Sequence, residues 1–411
     1  GELFTSCSKI AGPKPSDIDP EKFETALKLL SEDGDIRIES SAEEKDEEAP
    51  YKEPDKESTK ESIRVFLSKL YKAEIGISSR LNAMQSLECT PFETDLKNIR
   101  ELILTRMAIR LSEEQLKVIH HGLKEKILVI TGGPGTGKTT LIRALCEIFK
   151  AEKQSLLLGA PTGRAARRLS ELTGEKAATL HKILGFDHEN QSFARSYANP
   201  LEMDIFVVDE ASMVDTLLMY HLLEATPVTS RLILVGDTFQ LPSVGPGRVL
   251  SDIIDSDTIK VFSLTQIFRQ AEESPIVHYA HCIRNDEKPD FKNPAPGELS
   301  EFYFIEKGSP EKIVETVLDL CSKRIPDAFP HIDEIQVLTP MHRGENGTIN
   351  MNRRLQSILN PGEGGIESRG ILFKTGDKVM HLKNNYEKDV FNGDIGIIEE
   401  SIKSEGRVLV N

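Results

Sequence analysis

The amino-acid sequence predicts an α/β fold built around a parallel β-sheet. An apolar run, Ile127-Leu128-Val129-Ile130, is typical of a buried strand. A glycine-rich loop follows directly, and apolar residues then recur at helical spacing between Leu141 and Phe149. From Leu111 onward, strand-like and helical patterns alternate, as they do in a doubly wound sheet with helices on both faces. The 411 residues suffice for two or three domains.

Composition narrows the class of protein. A hydrophobic content of 38% and a charged content of 28% are typical of a soluble globular protein. No apolar run approaches the roughly 20 residues needed to span a bilayer, and no signal peptide is expected. The five scattered cysteines indicate buried thiols in a reducing, cytoplasmic compartment and no zinc site. His278, His281 and Cys282 lie close in sequence, but a structural role is favoured over a metal site.

The net charge of −15 is concentrated near the start of the chain. Residues 1–60 contain 17 acidic and 9 basic side chains, which gives a net charge of −8. Within them, the composition of residues 40–60 predicts an acidic linker. Because a local groove matters more than the total charge, this acidity does not exclude nucleic-acid binding elsewhere.

The sequence pattern of residues 1–100 predicts a small helical region with winged-helix character. Asp19 is a suitable N-cap for a helix over 20–30, and a turn then leads into a short strand over 36–38. The helix mixes acidic and basic residues, so packing against the rest of the chain is favoured over DNA reading. A capping-box spacing at Ser58–Glu61 predicts a long amphipathic helix whose apolar stripe runs from Ile63 to Met84, and a second helix is expected near 95–109.

The glycine-rich loop has the composition of a nucleoside-triphosphate cradle. Its glycines allow backbone N–H groups to point at phosphate oxygens, and the following helix adds its positive N-terminal dipole. Lys138 would reach the β- and γ-phosphates, and the Thr139 hydroxyl would ligate Mg²⁺. The residues expected to bind ATP here are Gly133, Pro134, Gly135, Thr136, Gly137, Lys138, Thr139 and Thr140.

An acidic pair follows a second strand, 71 residues after Lys138. The run Phe206-Val207-Val208 ends at Asp209-Glu210, so both carboxylates should lie at the carboxyl edge of the sheet. Asp209 would hold the Mg²⁺ shell, while Glu210 would orient and deprotonate the attacking water.

Two later residues complete the predicted hydrolytic site. Gln240 follows a third strand, Leu232 to Val235, where it can contact the γ-phosphate, although an ordinary Gly-Asp-Pro turn explains the same segment. Arg269 follows a short apolar stretch and could stabilise charge in phosphoryl transfer; the alternative is a surface salt bridge.

The order of these motifs resembles the superfamily-1 DNA helicases, and within them the RecD/TraA family. The resemblance covers the chain from about residue 100 to its end. The chain resembles the petite-integration-frequency helicases less closely. Residues 1–100 look like the region that precedes the motor in the long, RecBC-independent RecD-like proteins. The motifs that carry it are Gln115, GGPGTGKTT, APTGRAARRL, ATLHKILGF, VVDEASMVD, LVGDTFQLPSVGPG, LTQIFRQ, LTPMHRGENGTINMNRRLQ and GDKVMHLKNNYEKDVFNGDIG.

The resemblance implies two RecA-like motor domains, at 101–272 and 273–411, moving 5′ to 3′ on single-stranded DNA in recombination or repair. It assigns adenine recognition to Gln115, γ-phosphate sensing to Gln240 and an arginine finger to Arg269. Residues 185–200 match a hairpin used as a strand-separating pin, which implies duplex junctions as substrates. The residues it places near DNA are Thr162, His181, Ser243, Arg343 and Asn384.

The sequence also departs from the family pattern. Two later motifs, one of which supplies a second arginine finger, do not occur, and residues 394–410 look like the opening strands of a small SH3-like insertion. The chain begins at Gly1 and stops within a strand-like pattern, so a piece of a longer protein is expected. Open alternatives are a petite-integration-frequency-like or RNA-directed motor and a nucleotide-gated DNA-binding protein without productive turnover; a nuclease is disfavoured.

Overall fold

The computed structural model describes most of the chain. The described residues are 19–41, 62–89, 92, 95–187, 189–265, 274–295, 297–331, 334–382, 385, 388, 390, 392–402 and 406–411. They form two compact units. The first contains residues up to Gly132, Lys138–Pro161 and Glu175–Leu264, and the second contains Gly133–Gly137, Thr162–Gly174 and Thr265–Asn411.

The first unit begins with a helix, a hairpin and two further helices. Asp19 accepts a hydrogen bond from the Glu21 N–H at 3.1 Å, which confirms the predicted N-cap. The bounds are α1 (Pro20–Glu32), β1 (Ile36–Ser41), β2 (Ser62–Leu67), α2 (Ser68–Gln85) and α3 (Leu96–Met107).

The predicted start of the long helix is wrong. Residues Ser62–Leu67 form β2, which pairs antiparallel with β1, and α2 begins at Ser68. Ile63, Phe66 and Leu67 fit both helical spacing and a strand, and pairing with β1 satisfies the backbone groups of the segment as a strand. Ser58–Glu61 lies outside the described residues.

A six-stranded parallel sheet forms the centre of the first unit. Its strand order is β10-β3-β9-β8-β4-β5, and every neighbouring pair is parallel. Helices connect the strands, as parallel pairing requires. The elements between residues 113 and 264, of which α6 belongs to the second unit, are α4 (Glu113–Gly122), β3 (Ile127–Gly132), α5 (Lys138–Ala151), β4 (Leu156–Ala160), α6 (Gly163–Thr173), β5 (Ala177–Thr179), α7 (Leu180–Ile183), β6 (Phe186–Asp187), β7 (Ser192–Phe193), β8 (Ile205–Val208), α8 (Thr216–Ala225), β9 (Arg231–Gly236), α9 (Val249–Asp255) and β10 (Lys260–Leu264).

The central strands are buried along their whole length. Every residue of β3, β8 and β9 is buried, as expected for strands covered on both faces. Helix α5 packs its apolar side beneath them, and burial raises the pKa of the Cys146 thiol on this helix to about 12. The thiol is therefore protonated and packs as a small apolar group. The predicted burial of the cysteines holds for Cys146 and Cys321, whereas Cys89 and Cys282 are only partly buried.

Helix α2 shares this core with the sheet. Its residues Ile77, Leu81 and Met84 belong to the same hydrophobic cluster as Met219 and Leu222 of α8. The Arg80 guanidinium also donates to the carbonyls of Leu223 at 3.0 Å and Thr226 at 2.7 Å, which satisfies acceptors at the end of α8. Apolar packing and a charged cap therefore both hold α2 to the sheet unit.

A close contact between α2 and α8 supplies a stability prediction. At Gly76, an added Cβ would overlap the ring of Tyr220. We expect Gly76→Ala to destabilise the protein by about 1–3 kcal/mol, because this overpacking outweighs the roughly 1 kcal/mol that alanine contributes to helix propensity. Urea denaturation followed by circular dichroism measures the change. Ser79→Ala, on the exposed side of α2, is the matched control and should stay within about 0.5 kcal/mol. Stabilisation by Gly76→Ala would show that the two helices do not pack this closely.

The second unit combines helices with small antiparallel sheets. Strands β11 and β12 form a hairpin, and β13, β14 and β15 form a three-stranded sheet. A small apolar core joins α11 to α13 through Val314, Leu318 and Met351. Its elements after residue 265 are α10 (Pro275–Arg284), α11 (Pro310–Asp319), a π-helical turn (Leu320–Arg324), α12 (Ile325–Ala328), α13 (Thr348–Leu359), β11 (Ile366–Ser368), β12 (Ile371–Phe373), β13 (Lys378–Met380), β14 (Ile395–Ile402) and β15 (Arg407–Val410).

Of the helices that the structure describes, none combines the length and apolarity that crossing a bilayer requires.

Candidate nucleotide-binding site

The glycine-rich loop leaves the carboxyl end of β3 and enters α5. Gly135 and Gly137 have φ angles of 76° and 80°, the left-handed region that favours glycine. The buried Thr136 hydroxyl donates to the Gly133 carbonyl at 2.9 Å, which fixes the curvature of the loop. Pro134 and Gly135 are exposed at its tip. The loop therefore has the curved, glycine-dependent backbone that the sequence predicts.

Lys138 is the first residue of α5 and folds back over the loop. Its Nζ donates to the Gly132 carbonyl at 2.6 Å. The ammonium group is thereby held at the start of the loop, next to the end of β3. Thr139 and Thr140 follow in the first turn of α5, where helix N–H groups and the positive end of the dipole favour an anion.

The acidic pair lies where β8 ends. The Asp209 N–H donates to the Gly159 carbonyl of β4 at 2.9 Å, and Asp209 Oδ1 accepts from the Glu210 N–H at 2.9 Å. Glu210 adopts left-handed backbone angles, φ 52° and ψ 38°. A non-glycine residue in this conformation is strained, and such strain clusters at functional sites. β8 and β3 are both parallel neighbours of β9, so their carboxyl ends share one sheet edge.

The segment after β9 packs tightly against the turn that follows the acidic pair. A Cβ on Gly236 would lie 3.0 Å from Ser212 N and 3.4 Å from Ala211 N, so glycine allows this close approach. Beyond it, Gln240 is exposed and its Nε2 lies 3.4 Å from Asp237 Oδ2. Gln240 therefore lies on the turn that follows Gly236, the residue that packs against the segment after the acidic pair.

Gln115 is held in a capping box at the start of α4. Its N–H donates to Ser112 Oγ at 3.2 Å, and its Oε1 accepts from the Ser112 N–H at 3.1 Å. These two hydrogen bonds confirm the predicted capping box, and the residue is buried. Its assignment to adenine stays a prediction.

The donor set fits a nucleoside triphosphate with a divalent cation. Backbone N–H groups and one ammonium suit phosphate oxygens, while the Thr139 hydroxyl and the Asp209 carboxylate are the oxygen ligands that Mg²⁺ prefers. Two buried hydroxyl oxygens, of Thr131 and Ser212, have no partner among the described residues. Thr131 lies in β3 and Ser212 in the turn after the acidic pair, so both hydroxyls lie near this sheet edge, where they can bind an oxygen-rich ligand. The sequence motifs did not single out these two hydroxyls.

Four of the five predicted DNA-facing residues are described, and each lies in a different local setting. Thr162 is the N-cap of α6 and accepts from the Ala165 N–H at 3.2 Å. The Ser243 hydroxyl hydrogen-bonds the carbonyls of Gly245 and Gly247, so it shapes its own loop. Arg343 is exposed on a turn. Asn384, like Arg269 of the predicted hydrolytic site, lies outside the described residues.

His181 lies beneath the predicted hairpin. The hairpin over 185–200 is confirmed, since β6 and β7 pair antiparallel. The His181 ring contacts Phe186 and Phe193 at centroid distances of 5.3 and 5.8 Å, and His221 contacts Phe193 at 4.7 Å. Burial lowers the pKa of His221, although the nearby Glu224 carboxylate acts in the opposite direction. Because its pKa is lowered, the His221 ring is neutral near pH 7. An aromatic cluster therefore supports the hairpin, and it includes His181.

Among the residues that the structure describes, no group of three or more His, Cys, Asp or Glu side chains is placed to hold a metal ion.

A parallel sheet with a phosphate loop after β3 and an acidic pair after β8 defines a RecA-like P-loop nucleotide-binding protein. Two family models match the chain: an AAA domain over residues 115–246 and the ATP-dependent RecD-like DNA helicase SH3 domain over residues 351–411. These matches make the chain similar to the RecD family of helicases.

Curated relatives show the same similarity. The chain is 36% identical over 344 residues to the ATP-dependent RecD2 DNA helicase of Deinococcus radiodurans, covering 84% of this chain and 45% of that protein. It is 32% identical over 321 residues to the RecBCD enzyme subunit RecD of Mycolicibacterium smegmatis, covering 70% of this chain and 57% of that protein. The chain therefore spans about half the length of these relatives.

Among solved structures, the chain is similar to a structure of two coordinating Pif1 helicases at forked double-stranded DNA. The identity is 19%, the TM-score is 0.41, and the match covers 74% of this chain and 76% of that one.

Proposed function

We propose that this chain carries the ATP-hydrolysing motor of a DNA helicase that moves along single-stranded DNA. The observation that supports it most directly is the convergence of phosphate loop and acidic pair at one edge of a parallel sheet. The loop would bind the phosphates of ATP through backbone N–H groups and Lys138. Within the same proposal, Gln115 contacts adenine, and Gln240 and Arg269 respond to the γ-phosphate.

Hydrolysis needs a base and a stabilised leaving group. Mg²⁺, held by Thr139 and Asp209, would neutralise charge on the phosphates. Glu210 would accept the proton of the attacking water, and its backbone N–H bond to Asp209 Oδ1 fixes the two neighbours together. Lys138 would leave the Gly132 carbonyl for the phosphate oxygens, exchanging a neutral acceptor for a charged one.

Two surfaces favour a single-stranded nucleic acid as the partner. On α6, Arg164, Arg167 and Arg168 are exposed beside a buried apolar face, which offers cations to a phosphate backbone despite the net charge of −15. The loop after β9 exposes the large apolar side chains of Phe239, Leu241 and Val244, and the Phe239 ring is one on which a base can stack. Thr162, His181, Ser243, Arg343 and Asn384 are proposed as further DNA contacts.

The hairpin suggests how strands could be separated. β6 and β7 project a short turn in which Asp187 Oδ1 accepts from the Glu189 N–H at 2.8 Å, and the aromatic cluster supports its base. We propose that it splits duplex junctions while the motor moves 5′ to 3′. The domain boundaries at residues 100 and 272 belong to the same proposal.

The decisive experiment measures ATP hydrolysis by the chain with a single-stranded DNA oligonucleotide, with an RNA of the same sequence and with neither. We expect DNA to raise turnover several-fold over both. Equal stimulation by RNA would favour an RNA-directed motor. ATP binding without turnover in any condition would favour the nucleotide-gated binding protein, and absence of ATP binding would overturn the proposed function entirely.

Direction of movement needs a second substrate pair. Unwinding of a 5′-tailed duplex, but not of a 3′-tailed duplex with the same paired sequence, is the result expected of this chain. The reverse preference would contradict the proposed direction while leaving ATP hydrolysis intact.

A further inference from the structure

A tight turn at the foot of the hairpin presents an aromatic side chain. Ser196 and Asn199 form an antiparallel bridge in which each N–H donates to the other's carbonyl, at 3.2 and 3.1 Å. Asn199 Nδ2 also donates to the Ala194 carbonyl at 3.0 Å. These hydrogen bonds fix the two residues that connect the bridge, and the first of them is Tyr197, four residues after the end of β7.

The ring of Tyr197 has a partner on one face and solvent on the other. Tyr197 is the most exposed aromatic residue in the described part of the chain, at 75%. The Arg80 guanidinium of α2 lies over the ring, with Cζ 5.4 Å from its centroid, a distance at which a cation and an aromatic face attract each other. Because most of the residue is exposed, the ring face turned away from Arg80 is accessible.

Arg80 is itself held in place, so the ring lies on a fixed group. Its Nε donates to the Leu223 carbonyl at 3.0 Å, and its Nη2 donates to the Thr226 carbonyl at 2.7 Å. Both carbonyls lie at the end of α8, a helix that shares the hydrophobic core with α2. The orientation of the Tyr197 ring is therefore set in advance, which lowers the entropic cost of binding a ligand on it.

A second guanidinium lies in the same segment. Arg195 is half-buried, and its Nη1 donates to the Pro200 carbonyl at 3.1 Å, which holds the side chain beside the turn. A guanidinium carries five N–H groups, so Arg195 also has donors for a phosphate oxygen. An open aromatic face next to a cation is the combination that binds single-stranded nucleic acid without reading its sequence.

We propose that Tyr197 is a stacking platform for one unpaired base of a single-stranded nucleic acid. The base stacks on the open face of the ring, Arg80 supports the opposite face, and Arg195 contacts a phosphate of the same strand. The platform holds the strand at the foot of the hairpin and is distinct from Phe239 and His181. The inference rests on the proposed function, because it requires the chain to bind single-stranded nucleic acid.

Fluorescence anisotropy of a labelled oligothymidylate, titrated with the full chain, tests the proposal. We expect Tyr197→Ala to weaken binding about 10-fold, a loss typical of removing the aromatic partner of one stacked base. Tyr197→Phe keeps the ring and should bind within about 2-fold of the unchanged chain. On a strand of the same length made only of abasic nucleotides, Tyr197→Ala and the unchanged chain should bind equally, because no base is present to stack. Arg195→Gln should weaken binding to both strands, because it removes a phosphate contact.

Tyr303→Ala is the matched control. Tyr303 is also exposed, but its segment contains Glu298, Glu301 and Glu306, which repel a phosphate backbone. This variant should bind both strands normally, and Tyr197→Ala should keep its ATP hydrolysis without DNA, since Tyr197 lies outside the nucleotide-binding site.

Three results would overturn the platform and leave the proposed function standing. They are normal oligothymidylate binding by Tyr197→Ala, an equal loss of the abasic strand by that variant, and a loss in Tyr197→Phe as large as that in Tyr197→Ala. Unchanged binding by Arg195→Gln would remove the phosphate contact from the site. If the unchanged chain binds neither strand, the platform and the proposed function both fail.

Discussion

Replacing Lys138 by alanine is expected to lower ATP hydrolysis at least about 100-fold, the loss typical of removing one preorganised donor to developing charge. Lys138 lies at the start of α5 with its ammonium group on the Gly132 carbonyl. A short movement of the side chain would bring it to the phosphates, and alanine has no group that can replace it. ATP affinity should fall as well, because the ammonium also binds the ground state.

Steady-state phosphate release with saturating single-stranded DNA measures this effect. Lys117→Ala is the control, since Lys117 is an exposed lysine on α4 that the mechanism does not use. Near-normal turnover by Lys138→Ala would remove the phosphate loop from the catalytic site and require another cation for that role.

The second large effect is expected at Glu210. Glu210→Gln retains the size of the side chain but removes the carboxylate, so turnover should fall about 10²–10⁴-fold, the usual contribution of a general base. ATP affinity should change little, because the loop and Lys138 remain. The expected signature is a loss of turnover with retained nucleotide binding, which differs from that of Lys138→Ala.

Single-turnover hydrolysis and equilibrium binding of ATP, performed on the same preparation, separate these two quantities. Glu202→Gln is a suitable control because Glu202 is exposed and precedes β8. Wild-type rates in Glu210→Gln would mean that another group activates the water. Loss of ATP binding would instead indicate that the left-handed turn at residue 210 had been disturbed.

The sheet unit was the part most accessible from sequence. Its strands are short apolar runs followed by glycine or acidic residues, so pattern and chemistry pointed to the same edge. The sequence also predicts the capping box at Ser112 and Gln115 and the helix over 20–32, because helix caps depend on a few local residues. The hairpin over 185–200 followed from a polar segment punctuated by phenylalanines.

Prediction failed where two periodicities overlap. Residues 62–67 carry apolar side chains that suit both a helix and a strand, and the deciding partner, β1, lies more than 20 residues earlier. The support of Tyr197 by Arg80 was missed for a related reason. Their contact joins segments more than 100 residues apart, and neither residue belongs to a motif that names its chemistry. Long-range packing of this kind leaves no local signal.

The docking of α2 on α8 has a practical consequence for anyone who trims the protein. A minimal version beginning at residue 111 would keep every nucleotide-binding motif but remove Ile77, Leu81 and Met84 from the shared core. The side of α8 that they cover would then face water as a continuous apolar surface, and Arg80 would no longer satisfy the carbonyls at the helix end. Such a fragment should aggregate, so residues 68–85 belong to the smallest soluble motor.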